Sequence, residues 1–70
     1  MVNSEISHLI SMANDIAANM SFQDDAPDKI AGHINRFWAP RMRKLLLEYA
    51  ANDGEGLTEA LLPALKNIRQ

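Results

Sequence analysis

The side chains best suited to recognition are concentrated in one run, His33-Ile34-Asn35-Arg36-Phe37-Trp38-Ala39-Pro40-Arg41-Met42-Arg43-Lys44. Four of the seven basic residues, Arg36, Arg41, Arg43 and Lys44, fall within nine positions; no acid interrupts them, and Phe37, Trp38 and Met42 interleave with them. Three readings fit such a run. The ordinary one is a solvated helix face beside core aromatics. The second is a docking surface, because arginine and tryptophan combine large contact area with directed polar groups and are enriched at interface hot spots. The third is a phosphate or nucleic-acid site, since the guanidinium fork matches phosphate geometry; a net charge of -2 and the shortness of the patch weigh against it. The docking reading assigns partner binding to His33, Arg36, Phe37, Trp38, Pro40, Arg41, Met42, Arg43 and Lys44.

Other reactive side chains lack companions. His33 lies near Ile34 and Phe37 and reads as a partly buried, hydrogen-bonded histidine; His8, beside Leu9, reads as a surface residue. Asp24, Asp25 and Asp28 do not follow the alternating ligand order of a calcium loop, which also requires a turn glycine and a closing glutamate. Helix capping accounts for them. Gly54-Glu55-Gly56 lacks a preceding strand and a GK[ST] ending, so it is not a phosphate loop. Nucleophile elbows, HExxH and paired catalytic carboxylates are absent from the sequence. The absence of cysteine excludes a thiolate-held iron–sulfur cluster, a disulfide framework and a thiol nucleophile. The expectation is a chain that is not an enzyme by itself and holds no metal or cofactor.

The elements that carry these residues follow from hydrophobic spacing. Seventy residues allow one modest core, so residues 1–70 are read as one helical domain whose stability depends on close helix packing or on a partner. Ile6, Leu9, Ile10, Ala13, Ile16, Ala17 and Met20 recur at spacings of three and four, which predicts a first helix over about 4–19, capped by Asn3 or Ser4. A polar loop follows over 21–26. Asp25 as cap and Pro27 in the first turn begin a second helix, with Ile30, Ile34, Phe37 and Trp38 at helical spacing and its end near Trp38. Pro40 stops that helix and opens a third. Its stripe is Met42, Leu45, Leu46 and Tyr49, widened by Leu47 and Ala50. Asn52, Asp53 and Gly54 end it. Leu57, Leu61, Leu62, Leu65 and Ile68 predict a fourth helix, either capped by Thr58 and kinked at Pro63 or starting near Leu62. Met12, Met20 and Met42 are packing residues. With no period-two alternation, the fold class is all-α, a small bundle of three to four short helices. No apolar run approaches the length of a membrane span and the N-terminus lacks a signal-peptide pattern, so the cytoplasm is the expected compartment.

The run from His33 to Arg43 resembles the delta subunit of soluble NAD-dependent formate dehydrogenase, whose pattern is HIxxFWxPRMR followed by a leucine-rich helix, supplied here by Leu45, Leu46 and Leu47. Met12-Ala13-Asn14-Asp15-Ile16-Ala17 is similar to the family's first helix, and Gly56-Leu57 with the following leucines to its C-terminal segment. The resemblance runs from about Leu9 to Ile68. Family members often carry aspartate where this chain has Ala39; alanine gives up a cap of about 1 kcal/mol there. Pro63 is the other departure.

The resemblance implies a multisubunit cytoplasmic enzyme that oxidises formate to carbon dioxide and reduces NAD. Its large subunit carries a molybdenum or tungsten bis-pterin guanine dinucleotide centre and iron–sulfur clusters, and other subunits carry flavin and further clusters. The delta subunit carries no redox centre and supports assembly or stability. The leading expectation is therefore an accessory subunit that docks on the larger subunits, most of all the catalytic one. The alternatives are a transient assembly factor for inserting or retaining the metal–pterin cofactor, and a small helical nucleic-acid module. Arg41 and Arg43 are expected to flank the third helix's stripe and to serve docking more than folding, their heads free for a partner or for a neighbouring helix's carbonyls. Trp38 is expected to sit in the second helix's stripe, and Trp38→Ala to cost about 3–5 kcal/mol.

Overall fold

The computed structural model describes residues 4–69: helix α1 spans Ser4–Met20, α2 Ala26–Phe37, α3 Pro40–Asn52 and α4 Leu62–Leu65. The fold is all-α; no strand occurs among the described residues, and no helix among them is long and apolar enough to cross a membrane. In α1 the fully buried line is Leu9, Ala13 and Ala17, at four-residue steps, with Ile6, Met12, Ile16 and Met20 half-buried beside it. The two alanines let α1 lie close to both its neighbours, α2 and α3. The expected Asn3 cap lies outside the described residues, and for Ser4 only the backbone is described.

Helix α2 begins where the sequence predicts, by a different device. Asp25 occupies the cap position in the left-handed region, at φ 58°, and makes no side-chain cap bond. A side-chain cap requires the extended backbone that lets the carboxylate fold over the next amides. In the left-handed conformation, which aspartate tolerates better than most residues, only the Asp25 carbonyl is used, accepting from Lys29 N at 3.0 Å. The buried face of α2 is Ile30, Ala31 and Ile34, completed by Trp38 just beyond its end. Pro40 holds Ala39 extended, at φ -63° and ψ 151°, and α3 starts at Pro40 with no side-chain cap.

Leu46 alone is fully buried on α3, with Met42, Leu45 and Leu47 half-buried against the core. The helix ends as predicted: the amides of Asp53 and Gly54 both donate to Tyr49 O at 2.9 Å. Gly54 has φ +71°, and a Cβ there would come within 3.2 Å of Ala50 O, so glycine is required.

Residues 55–61 cross back over α1. Asn14 Nδ2 donates to Gly56 O at 2.8 Å while Thr58 N donates to Asn14 Oδ1 at 3.1 Å, and Tyr49 OH donates to Glu55 O at 2.6 Å. Thr58 offers its carbonyl, not a cap, to Leu61 N and Leu62 N. Helix α4 therefore starts at Leu62, with Pro63 in a first turn that needs no donor from it. This single turn and the residues flanking it bury Leu61, Ala64 and Ile68 against the core and leave Leu62 49% exposed. The expected stripe is corrected at Leu62: Leu61, Ala64, Leu65 and Ile68 keep helical spacing toward the core, and Leu62, one residue on from Leu61, falls outside that face. Helix α4 packs on α2, which is thus covered by α1 and α4.

Candidate functional site

With Ile30, Ala31 and Ile34 turned inward, α2 presents Lys29, Gly32, His33, Arg36 and Phe37 outward. Together with Met20 of α1 these residues line an open cleft of about 300 Å³. Phe37 is 68% exposed, unusual for so large an apolar ring. Its centroid lies 4.7 Å from that of His33 with the planes tilted by 43°, and Arg36 Cζ stands 5.7 Å from it, within cation–π reach. Three of the sequence-predicted residues, His33, Arg36 and Phe37, thus form one aromatic and cationic surface.

The other predicted residues are placed elsewhere. Trp38 is buried in the core, Met42 packs half-buried against it, and Pro40 is exposed as the first residue of α3. Residues two apart on a helix point about 200° apart, so Arg41 and Arg43 diverge. Arg41 turns to α1, where both terminal nitrogens donate to the Glu5 carboxylate at 2.6 and 2.8 Å. This pair is solvent-exposed; the hydrogen bond from Arg41 holds the Glu5 carboxyl below the usual glutamate range. Arg43 turns to the end of α2: one terminal nitrogen donates to Trp38 O at 2.7 Å and Asn35 O at 3.3 Å, and Nε donates to Arg69 O at 2.8 Å. The last carbonyls of a helix have no intrahelical donor, and Arg43 supplies one. Of its two expected destinations it takes the neighbouring helix, so Arg43 belongs to the fold. Lys44 is exposed beside Leu47, Glu48 and Ala51, which line a second shallow cleft of about 220 Å³. Adjacent in sequence, the four basic side chains have four different surroundings and make no continuous phosphate-binding stripe.

Two asparagines escaped the sequence reading. Asn35, inside the recognised run, donates through Nδ2 to Asn67 O at 3.1 Å and accepts from Arg69 N at 2.7 Å, as Asn14 does for the 56–58 loop. The available signal was chemical: a carboxamide beside an apolar stripe can donate and accept at once, which suits it to hold a passing strand of backbone. Asn67 in turn donates to Asp28 Oδ1 at 3.0 Å, giving one of the clustered acids a structural partner. Phe22, read as part of a polar loop, is 81% exposed. Among the described residues no group of three or more His, Asp or Glu side chains is placed to hold a metal ion. Burial pushes the Tyr49 phenol up, with the Asp53 and Glu55 carboxylates adding to the effect.

A family model described as the NADH-dependent formate dehydrogenase delta subunit, FdsD, matches residues 8–65, from the first turns of α1 to the end of α4. Comparison with curated proteins and with solved structures gave no significant match. The matched span contains the α2 cleft, the Ala39-Pro40 corner and the whole Asn14 clamp, with Asn35 inside it and the Asn67 and Arg69 backbone that Asn35 holds just beyond it, and the chain belongs to the formate dehydrogenase delta subunit family.

Proposed function

We propose that the chain is a non-catalytic accessory subunit that docks on a cytoplasmic formate dehydrogenase complex, on its catalytic subunit, and stabilises or helps assemble it. The observation that carries this reading is Phe37: an aromatic ring 68% exposed, braced by His33 and Arg36, inside the span that matches the family. An exposed aromatic beside a cation has the chemistry of an interface anchor. In this reading the molybdenum or tungsten bis-pterin guanine dinucleotide, the iron–sulfur clusters and the flavin belong to the larger subunits. The residues of this chain do not fit such clusters, having no thiolate and, among those described, no three-ligand group.

A tagged chain expressed in its native host should comigrate with active formate dehydrogenase through size exclusion. Phe37→Ala or Arg36→Ala should weaken that association by about 2 kcal/mol or more and shift stability by roughly 0.5 kcal/mol or less. Full retention of both variants would refute docking through this face. Loss of the chain from the mature active complex would favour a transient assembly factor over a permanent subunit.

A further inference from the structure

We infer that the α2 cleft seats a helix of a larger formate dehydrogenase subunit, one that inserts an apolar side chain at Gly32 and carries carboxylates on either side of it. This rests on the docking reading above and adds what the partner must present. Gly32 lies in the interior of α2, where glycine weakens a helix relative to alanine. Nothing among the described residues calls for it. A Cβ at Gly32 would meet no atom within 4 Å, and the glycines with positive φ are Gly54 and Gly56. The space left bare is on the outer face, in the cleft lined by Lys29, His33, Arg36 and Phe37.

Four-residue rows form the ridges of a helix surface, and helices pack by setting the ridges of one into the grooves of the other. Here the row Asp28–Gly32–Arg36 runs beside the row Lys29–His33–Phe37, so Gly32 is a gap in one ridge next to the aromatic pair of the other. A partner side chain can enter that gap, and its backbone can approach closely. Charge defines the occupant further. Among the described residues the cleft lining contains Lys29 and Arg36 and no carboxylate, and the ion pair formed is Arg41 with Glu5. Asp28, on the same row, accepts from Asn67. Lys29 and Arg36 are seven residues apart, roughly 10 Å along the axis, which spaces the partner's carboxylates about two turns apart.

The test uses purified formate dehydrogenase lacking this chain, titrated with the purified chain and its variants. Gly32→Ala should raise Tm by roughly 4–8 °C and yet weaken binding about tenfold or more; Gly32→Leu should weaken it further. A glycine with a purely structural role would not oppose stability to affinity in this way. Lys29→Ala should also weaken binding, by a factor that shrinks as salt rises. Wild-type affinity of Gly32→Ala and Gly32→Leu, with Phe37→Ala released, would overturn the seat and leave the docking reading standing. Wild-type affinity of all three would overturn both. A self-associated chain that Gly32→Leu converts to monomer would make a second copy the occupant and overturn the assignment.

Discussion

Replacing Arg43 by alanine should damage the fold out of proportion to its place in a basic cluster. Its guanidinium joins three carbonyls that no other side chain reaches among the described residues: Trp38 O at 2.7 Å, Asn35 O at 3.3 Å and Arg69 O at 2.8 Å. The part-buried bond to Trp38 O is charge-assisted and contributes about 1.5 kcal/mol. A cation at the end of α2 adds about 0.5–1 kcal/mol through the helix dipole, and the more exposed bond to Arg69 O adds about 0.5 kcal/mol. The combined loss is about 2.5–3 kcal/mol, a large part of the stability of so small a domain. At about 4–8 °C per kcal/mol this lowers Tm by roughly 10–20 °C. Far-UV circular dichroism melts measure it directly. Arg43→Lys keeps the charge but cannot span carbonyls in separate directions, so it should restore about half of the loss. An Arg43→Ala melt within about 3 °C of wild type, the scale of an ordinary surface change, would refute the structural assignment.

Ala39→Asp should stabilise by about 1 kcal/mol, because Ala39 already has the extended backbone of a cap residue before Pro40 and lacks only the acceptor; a denaturant titration checks this. Asn14→Ala should remove two bonds and cost about 1–2 kcal/mol, and hydrogen exchange should show the Thr58 amide losing protection. The Glu5 carboxyl has a lowered folded-state pKa, so the Arg41 pair contributes stability above the ordinary glutamate range and loses it as pH falls through the folded value. The small Tm difference between wild type and Arg41→Ala should accordingly vanish in acid. Trp38→Ala removes a core ring 5% exposed and should leave the chain largely unfolded, a loss of about 3–5 kcal/mol readable by tryptophan-independent circular dichroism.

Much of this molecule is written in short-range pattern. Leucine, isoleucine and alanine at spacings of three and four mark α1 and α2, Pro40 marks the corner and Gly54 the end of α3, because each acts through the backbone of its own turn. The family resemblance is equally local, carried by the run around Phe37 and Trp38. The destinations of the long polar side chains are of another kind. Arg41 and Arg43 are indistinguishable by type and neighbourhood, yet one lies in solvent against Glu5 and the other closes α2, since the packing of α3 on α1 decides which carbonyls and carboxylates come within reach. Asn14 and Asn35 act on backbone more than thirty residues away, and Leu62 is outward where periodicity placed it inward. Helix content follows from backbone geometry within a turn; the division of the basic run into an outer cleft and an inner clamp follows from the relative placement of α1, α2 and α3, which core packing and hydrogen bonds between distant residues define.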